Sequence, residues 1–309
     1  MLIKNVFIKR HRSHAGKWIY EGYRAAWESL GYSAHYYDDL AEISSFKERY
    51  YLMAIDGDVR GGRALSVVES AQKTFLYVQP NWFPEPWGLH PNFQCHCPSE
   101  SIESLNRMNN VFLWSFGGDS KYHDKWKDVA PVPLAFDSNS YVPVVDDNIK
   151  FDVCFVGGWA NNGFDEKRKI MLEYFKEFKD SGLKCGFFIN KGLTHEQENA
   201  ILYNSKVTIN IHDAYQRALG LDTNERTFKS LGTNGILVSD NIKQIRNLNL
   251  GVSIAESSKD MVDAVRVLTQ EIDSNVLESM RQDNRKNILK NHTYIERVKT
   301  MLSLKEVLI

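Results

Sequence analysis

Two short segments of the 309-residue chain carry residue types suited to handling a phosphate group. In the first, Phe155–Val156–Gly157–Gly158–Trp159 leaves an apolar run and enters the polar turn Ala160–Asn161–Asn162–Gly163, after which come Lys167, Arg168 and Lys169. Glycines let an anion approach the backbone, and a helix N-terminus offers unpaired N–H groups with partial positive charge. The spacing matches neither the dinucleotide fingerprint nor the P-loop pattern, so an ordinary strand-to-helix turn competes with phosphate binding. The second segment is Asp222–Thr223–Asn224–Glu225–Arg226–Thr227–Phe228. Thr223 or Asn224 suits a helix cap, Glu225 suits hydrogen bonds from ribose or sugar hydroxyls, and Arg226 suits a diphosphate. A capped surface helix with a dipole-favoured glutamate accounts for the same residues.

Other clusters divide in the same way. The basic turn holding His11, Arg12, His14 and Lys17 suits an acceptor, or a donor phosphate across a cleft, or is a solvated loop. It lacks the glycine spacing of a dinucleotide site, which argues against Asp38 or Asp39 as ribose ligands of NAD and against a dehydrogenase or epimerase. Asp56–Gly57–Asp58 pairs two carboxylates as some divalent-metal sites do, but aspartates around a glycine also make ordinary turns. Cys95–His96–Cys97 has no second ligand pair at zinc spacing, so no metal is expected. Trp82, Phe83, Trp87 and Phe93, among Pro80, Pro84 and Pro86, suit stacking on a flat ligand or burial against a sheet.

These segments need a scaffold, and the hydrophobic pattern supplies one. Apolar runs at Leu2–Ile8, Ser33–Tyr37, Tyr51–Ile55, Thr74–Val78 and Val111–Ser115 read as strands, with helices such as Trp18–Leu30 and Ala64–Ala71 between them. The pattern restarts at Lys150–Val156 and continues through Cys185–Ile189, Val207–Ile211, Gly235–Ser239 and Val252–Ile254. Helices at about Asp165–Lys179, Thr194–Tyr203 and from Asn224 alternate with these strands, and two or three more fill the C-terminus. Alternation of this kind predicts two α/β halves with parallel sheets, residues 1–144 and 145–309, joined through the stretch holding Pro131, Pro133 and Pro143. In open sheets of this class ligands sit beyond the carboxyl ends of the strands, where the segments above fall. The 38 Lys and Arg against 39 Asp and Glu give a formal charge of −1, which argues against a dedicated nucleic-acid or anionic-membrane binder. The start MLIKNVFIKR does not read as a signal peptide, and no apolar run is long enough to span a bilayer, so a soluble, cytoplasmic protein is expected.

Several stretches in order resemble one family. Pro133–Leu134–Ala135–Phe136–Asp137 with Tyr141 and Pro143 resembles the PLA-x-D-x-x-x-Y-x-P linker of the CgeB-like (spore maturation protein) glycosyltransferases of the group 1 type. Asp152, Phe155, Val156 and Gly157 match the strand that follows there, and Arg168 the helix after it. Tyr203, Ser205, Lys206 and Asn210 match a Y-x-x-S-K-x-x-x-N segment. Asn224, Arg226, Phe228 and Gly235 match an N-x-R-x-F helix, with Asp240 ending the next strand. His292, Thr293, Tyr294 and Arg297 match a late H-T-Y-x-x-R.

The resemblance implies a GT-B fold: two Rossmann-like domains facing across a cleft, with the last helix (about 291–305) packing back on the first. It implies a metal-independent glycosyltransferase without a cofactor, moving a sugar from a nucleoside diphosphate sugar, with a UDP-sugar as the guess, to a hydroxyl on a glycan, glycolipid or protein. Retention of anomeric configuration is favoured. The donor side would use Gly157, Gly158, Arg168, Asn224, Glu225, Arg226 and Thr227, and the acceptor or phosphate side His11, Arg12 and His14. Arg226, Glu225 and His14 are the expected catalytic residues. Two departures stand out: Lys229 replaces the acidic residue after the helix phenylalanine, and Leu221 replaces a glutamate of the retaining relatives. They keep open a non-catalytic nucleotide-sugar or glycan binder on the same scaffold, beside a phage-type DNA-base glycosyltransferase.

Overall fold

The structure is a computed structural model that describes residues 3–89, 95–117, 120–159, 166–220 and 223–303; the side chains of His14 and Ser120 are outside the description. By packing, the chain divides into two units: Met1–Pro133 with Tyr294–Ile309, and Leu134–Thr293.

In the first unit, β1 (Asn5–Lys9), β2 (Ser33–Tyr37), β3 (Tyr50–Ile55), β4 (Lys73–Tyr77), β5 (Val111–Ser115) and the two-residue β6 (Ala130–Pro131) form one parallel sheet, in the order β2-β1-β3-β4-β5-β6. Three helices connect them: α1 (His14–Ser29), α2 (Gly62–Ser70) and α3 (Ser99–Arg107). The Ser13 hydroxyl caps α1 by accepting from the Gly16 N–H. Leu52, Ala54, Leu76, Val78 and Leu113 are buried in the same cluster as Val67, Val68, Ile102 and Leu105 of the helices. β-Branched and aromatic runs of five or six residues have both faces covered in such a sheet, which is why they read as unbroken apolar stretches.

The second unit repeats the scheme. β7 (Val153–Gly157), β8 (Cys185–Ile189), β9 (Val207–Asn210), β10 (Leu237–Asp240) and β11 (Val252–Ala255) form a parallel sheet in the order β11-β10-β9-β7-β8. Its helices are α4 (Glu166–Lys179), α5 (His195–Asn204), α6 (Ala214–Leu219), α7 (Glu225–Thr233), α8 (Lys243–Asn247), α9 (Ser258–Arg266) and α10 (Ser274–Asn291). α11 (Tyr294–Ser303) then belongs to the first unit, where Tyr294 lies 4.8 Å from the ring of Tyr23 on α1.

Within each sheet the strand that starts the unit sits between the second and third, so both units have one strand order. That order reverses direction between β1 and β3 in one unit and between β7 and β9 in the other. Crevices at the carboxyl ends of such reversal points are where open α/β sheets bind ligands.

Several readings fall on undescribed residues: Leu2, Phe93, the turn Ala160–Gly163, Asp165, Leu221 and Asp222. Of the proline-rich aromatic segment, Trp87 is buried, whereas Trp82 is 43% exposed and stands against Tyr122. The PLA-x-D segment is likewise inward-facing, with Leu134, Ala135, Phe136, Asp137 and Tyr141 all buried.

Candidate functional site

Arg226, one residue into α7, crosses the reversal point of the second sheet. Its Nε–H donates to the Val156 carbonyl of β7 (2.8 Å) and its Nη1–H to Asn210 Oδ1 at the end of β9 (2.8 Å). The guanidinium also lies 4.5 Å from the centroid of Phe155. Two of five N–H donors are thereby used, and the other three have no protein partner among the described residues. A Cβ on Gly157 would overlap the guanidinium, and one on Gly158 would overlap the side-chain oxygen of Asn190. The two glycines therefore admit protein groups to the backbone: the arginine, and an asparagine held at φ 52°.

Behind the arginine runs a chain of buried polar groups whose donors and acceptors align in one direction. With Asn210 Oδ1 accepting from Arg226, its Nδ2 donates to Asn224 Oδ1 (3.0 Å) and Thr227 Oγ1 (2.9 Å). The Thr227 hydroxyl then donates to Thr223 (2.5 Å) and Thr223 to His212 Nε2 (3.0 Å), leaving His212 Nδ1–H for Asp240 Oδ1 at 2.6 Å. Asp240 also accepts from the His212 backbone N–H (3.0 Å) and pairs with Arg217 at 2.6 Å. Burial holds the His212 imidazole below its ordinary value, against the pull of Asp240. Burial works against charge on Asp240 too, yet His212 and Arg217 keep its carboxyl well below the usual range. The pair is thus neutral imidazole on carboxylate at neutral pH.

A second cation stands beside the first. Lys167, only 6% exposed, donates to the Ile211 carbonyl and lies 3.5 Å from Asp213. Burial pushes its ammonium down to about 8, opposed by Asp213, and nearby Arg226 pushes in the same direction as burial. Burial also lowers the Arg226 guanidinium from its ordinary value, with Asp213, Glu198 and Asp240 opposing.

The structure brings together Gly157, Asn224, Arg226 and Thr227 of the residues expected on the donor side, with Gly158 next to them. Thr227 is fully buried and acts through Asn210, and the Asn224 side chain bonds Asn210 instead of capping α7. Glu225 sits in the first turn of α7 and contributes to the field at both Arg226 and Tyr141. Arg168 is apart from this group: exposed, with its guanidinium 5.8 Å from the Trp159 ring. Lys229, the departure from the family pattern, pairs with Glu198 of α5 at 2.5 Å, and Glu198 accepts from the Tyr141 hydroxyl at 2.9 Å.

In the first unit His11 is half-buried, stacked on Tyr20 (5.6 Å) and seated over Gly16, whose Cβ would overlap the ring. Arg12 is exposed and pairs with Asp38 at 3.0 Å. His14 opens α1, with its side chain outside the description. Asp56 is buried and accepts from the Gln79 N–H (2.8 Å), while Asp58 pairs with Lys9 (2.8 Å). Among the described residues no group of three or more His, Cys, Asp or Glu is placed to hold a metal ion. No helix among them is long and apolar enough to cross a membrane.

Sequence reasoning passed over Lys167, Asn190 and His212. Lys167 was visible only as one of three consecutive basic residues, and His212 as a polar residue after an apolar strand.

Residues 152–303, just under half of the chain, match the glycosyl transferase-like family model. No curated protein matches the sequence. Among solved structures the chain is similar to a glycosyltransferase from Rickettsia africae ESF-5, with a TM-score of 0.59 and 8% identity over 99% of each chain. It is also similar to a DNA-modifying β-glucosyltransferase studied with and without uridine diphosphoglucose (TM-score 0.53, 11% identity, 98% of this chain and 99% of that one). A third neighbour is HepE of Anabaena in complex with UDP and glucose (TM-score 0.53, 10% identity, 98% and 100%). At these identities the likeness is one of fold, and that fold is GT-B. With residues 152–303, most of the second unit and α11, matching that model on this fold, the chain is a glycosyltransferase of the GT-B fold.

Proposed function

We propose that the chain takes a sugar from a nucleoside diphosphate sugar, with UDP as the carrier, to a hydroxyl acceptor, and that Arg226 and Lys167 receive the departing diphosphate. The observation that carries this reading is Arg226 itself, fixed to both sides of the sheet reversal with three N–H donors unspent among the described residues. As the bond from the anomeric carbon to the diphosphate oxygen breaks, negative charge grows on that oxygen. Simultaneously or next, the acceptor oxygen bonds to the anomeric carbon and its proton passes to the departing diphosphate. Preorganised donors aimed at growing charge lower such a barrier without reorganising. The Asn210–Thr227–Thr223–His212–Asp240 chain holds the guanidinium in place, and the α7 N-terminus adds its dipole. Two cationic side chains supply the charge that a metal would otherwise bring, so the reading needs none.

Lys229 does not speak for a decayed, non-catalytic scaffold on this reading, because Glu198 neutralises it and places a carboxylate within the field of Arg226. The inward-facing PLA-x-D segment and the late H-T-Y-x-x-R, whose Arg297 Nε–H donates to the Pro133 carbonyl at 2.8 Å, fit the CgeB-like branch. That branch favours retention, which product anomer analysis tests. A DNA acceptor, as in the β-glucosyltransferase neighbour, would make the rate fall steeply with salt.

Incubation with a panel of nucleoside diphosphate sugars, with free nucleoside diphosphate as the readout, tests the assignment. Turnover should fall by about 10²-fold in Arg226→Ala, as when one oxyanion donor is lost. Binding without turnover, with any acceptor offered, overturns it.

A further inference from the structure

The first unit holds a cavity of about 310 Å³ at the carboxyl end of β1, at the lower end of ligand-pocket sizes. Its wall carries three cations, Arg10, Arg12 and Lys17, with Glu21 the one carboxylate in the lining. Asp38 pairs with both arginines, 3.4 Å from Arg10 and 3.0 Å from Arg12. Lys17 has no carboxylate partner among the described residues; its ammonium lies 5.4 Å from the Trp18 ring. It is the surplus charge of the pocket.

His11 lines the same cavity, in a defined tautomer. Its Nδ1 accepts from the Ser13 backbone N–H at 3.3 Å and lies 3.0 Å from the Ser13 hydroxyl, so the proton sits on Nε2. Burial lowers the imidazole below its ordinary value, and Lys9 adds to the effect. A neutral ring with an Nε2–H donor results. Tyr20 and Tyr36, the first stacked on His11 and the second 5.0 Å from the Arg10 guanidinium, complete an aromatic wall.

Resting on the glycosyltransferase reading for its role, we propose that this pocket binds the phosphate group of a phosphorylated acceptor of sugar-phosphate size. Planar guanidiniums, an ammonium and an imidazole N–H offer donors in several directions, which suits the three terminal oxygens of a phosphomonoester. The aromatic wall suits the ring that carries it. A nucleic acid would require cations along a track, neutralising several phosphates, not one compact pocket.

Calorimetric titration of the full chain with a panel of hexose and pentose phosphates, the parent sugars, inorganic phosphate and UDP tests this. At least one sugar phosphate binds and its parent sugar does not, and inorganic phosphate competes. Arg12→Ala and Lys17→Ala each weaken that binding by about tenfold. Lys47→Ala, which removes an exposed charge elsewhere in the unit, and Arg226→Ala leave it unchanged. The proposal is overturned if no sugar phosphate binds, if the parent sugar binds equally well, or if both pocket variants bind normally. Loss of binding in Arg226→Ala overturns it too, because the phosphate would then occupy the donor site. A short DNA duplex that displaces the sugar phosphate with steep salt dependence replaces it with a nucleic-acid surface. Absence of UDP binding and turnover with sugar-phosphate binding intact sinks the glycosyltransfer reading alone.

Discussion

Replacing Gly157 by alanine puts a methyl group where the Arg226 guanidinium lies, and the arginine must move. Gly157→Ala is expected to lose turnover by about 10²-fold, as Arg226→Ala does, although it deletes no charged group. The double variant should be no worse than either single one, a non-additivity that a cycle of initial rates reads directly. Lys167 supports a pH prediction. With its ammonium at about 8, rising pH through that value discharges it, and turnover falls on the alkaline side. Lys167→Arg, which keeps its charge, should carry full turnover past that limb. Stability runs the other way. Between about 8 and the ordinary lysine value of 10.5 the unfolded chain holds more protons than the folded one, so stability rises with pH over that window. Activity and melting temperature moving in opposite directions over one pH range would be hard to obtain from a surface lysine. Arg226 was legible in the sequence because a helix-start N-x-R motif restricts it. Lys167 was not, since the phase of α4 decides which of Lys167, Arg168 and Lys169 faces the strand ends, and three consecutive basic residues do not reveal it.

At the scale of elements, the buried strands were legible because both faces of a parallel sheet are covered, which leaves an uninterrupted β-branched and aromatic run. Val111–Ser115, buried along its whole length, is of this kind; its observed bounds equal the expected ones, as do those of Cys185–Ile189, an edge strand that is only partly buried. α3, α6, α8 and the two-residue β6 went unread. α6 has six residues, and its capping box joins Asp213 to Gln216, polar residues that look like loop until the helix is seen. α7 was read correctly as starting near Asn224, and it packs where Phe136 of the PLA-x-D segment meets Gly232. A Cβ on Gly232 would stand 2.6 Å from the Phe136 ring, closer than real contacts allow. Phe136 is also tied to the returning chain, its N–H donating to the His292 carbonyl at 2.8 Å. Gly232→Ala should therefore destabilise by about 1–3 kcal/mol through overpacking, with the loss seen in denaturant midpoint at unchanged slope. Turnover per folded molecule would hold near normal if α7 keeps its N-terminal turn, which separates this effect from that of Gly157→Ala.

For the whole molecule, the repeated strand order explains why a chain of this length carries two reversal points, one closed by Arg226 and the other flanked by the Lys9–Asp58 pair. The sequence displayed the two halves as a pattern that stops and restarts. The return of the last helix to the first half was expected only through the family resemblance, because nothing in the spacing of Tyr294, Arg297, Val298 and Met301 says which core they enter. All four are buried, and Arg297 donates to Pro133 while Lys73 donates to the Leu302 carbonyl, binding the end of the chain to the unit that began it. The first unit is thus discontinuous: it cannot be complete until the entire second unit has been made. Truncating Tyr294, which is 1% exposed and packs on Tyr23 beside Gly22, tests that dependence. Tyr294→Ala should cost about 3–5 kcal/mol, the range for large aromatic truncations in a core. Hydrogen exchange locates the loss: amides of β1 and β3 should exchange faster, whereas those of β7 and β9 keep their protection. Equal loss in both sheets would instead mean that the two units unfold as one cooperative block, and the discontinuity would then have no separate energetic consequence.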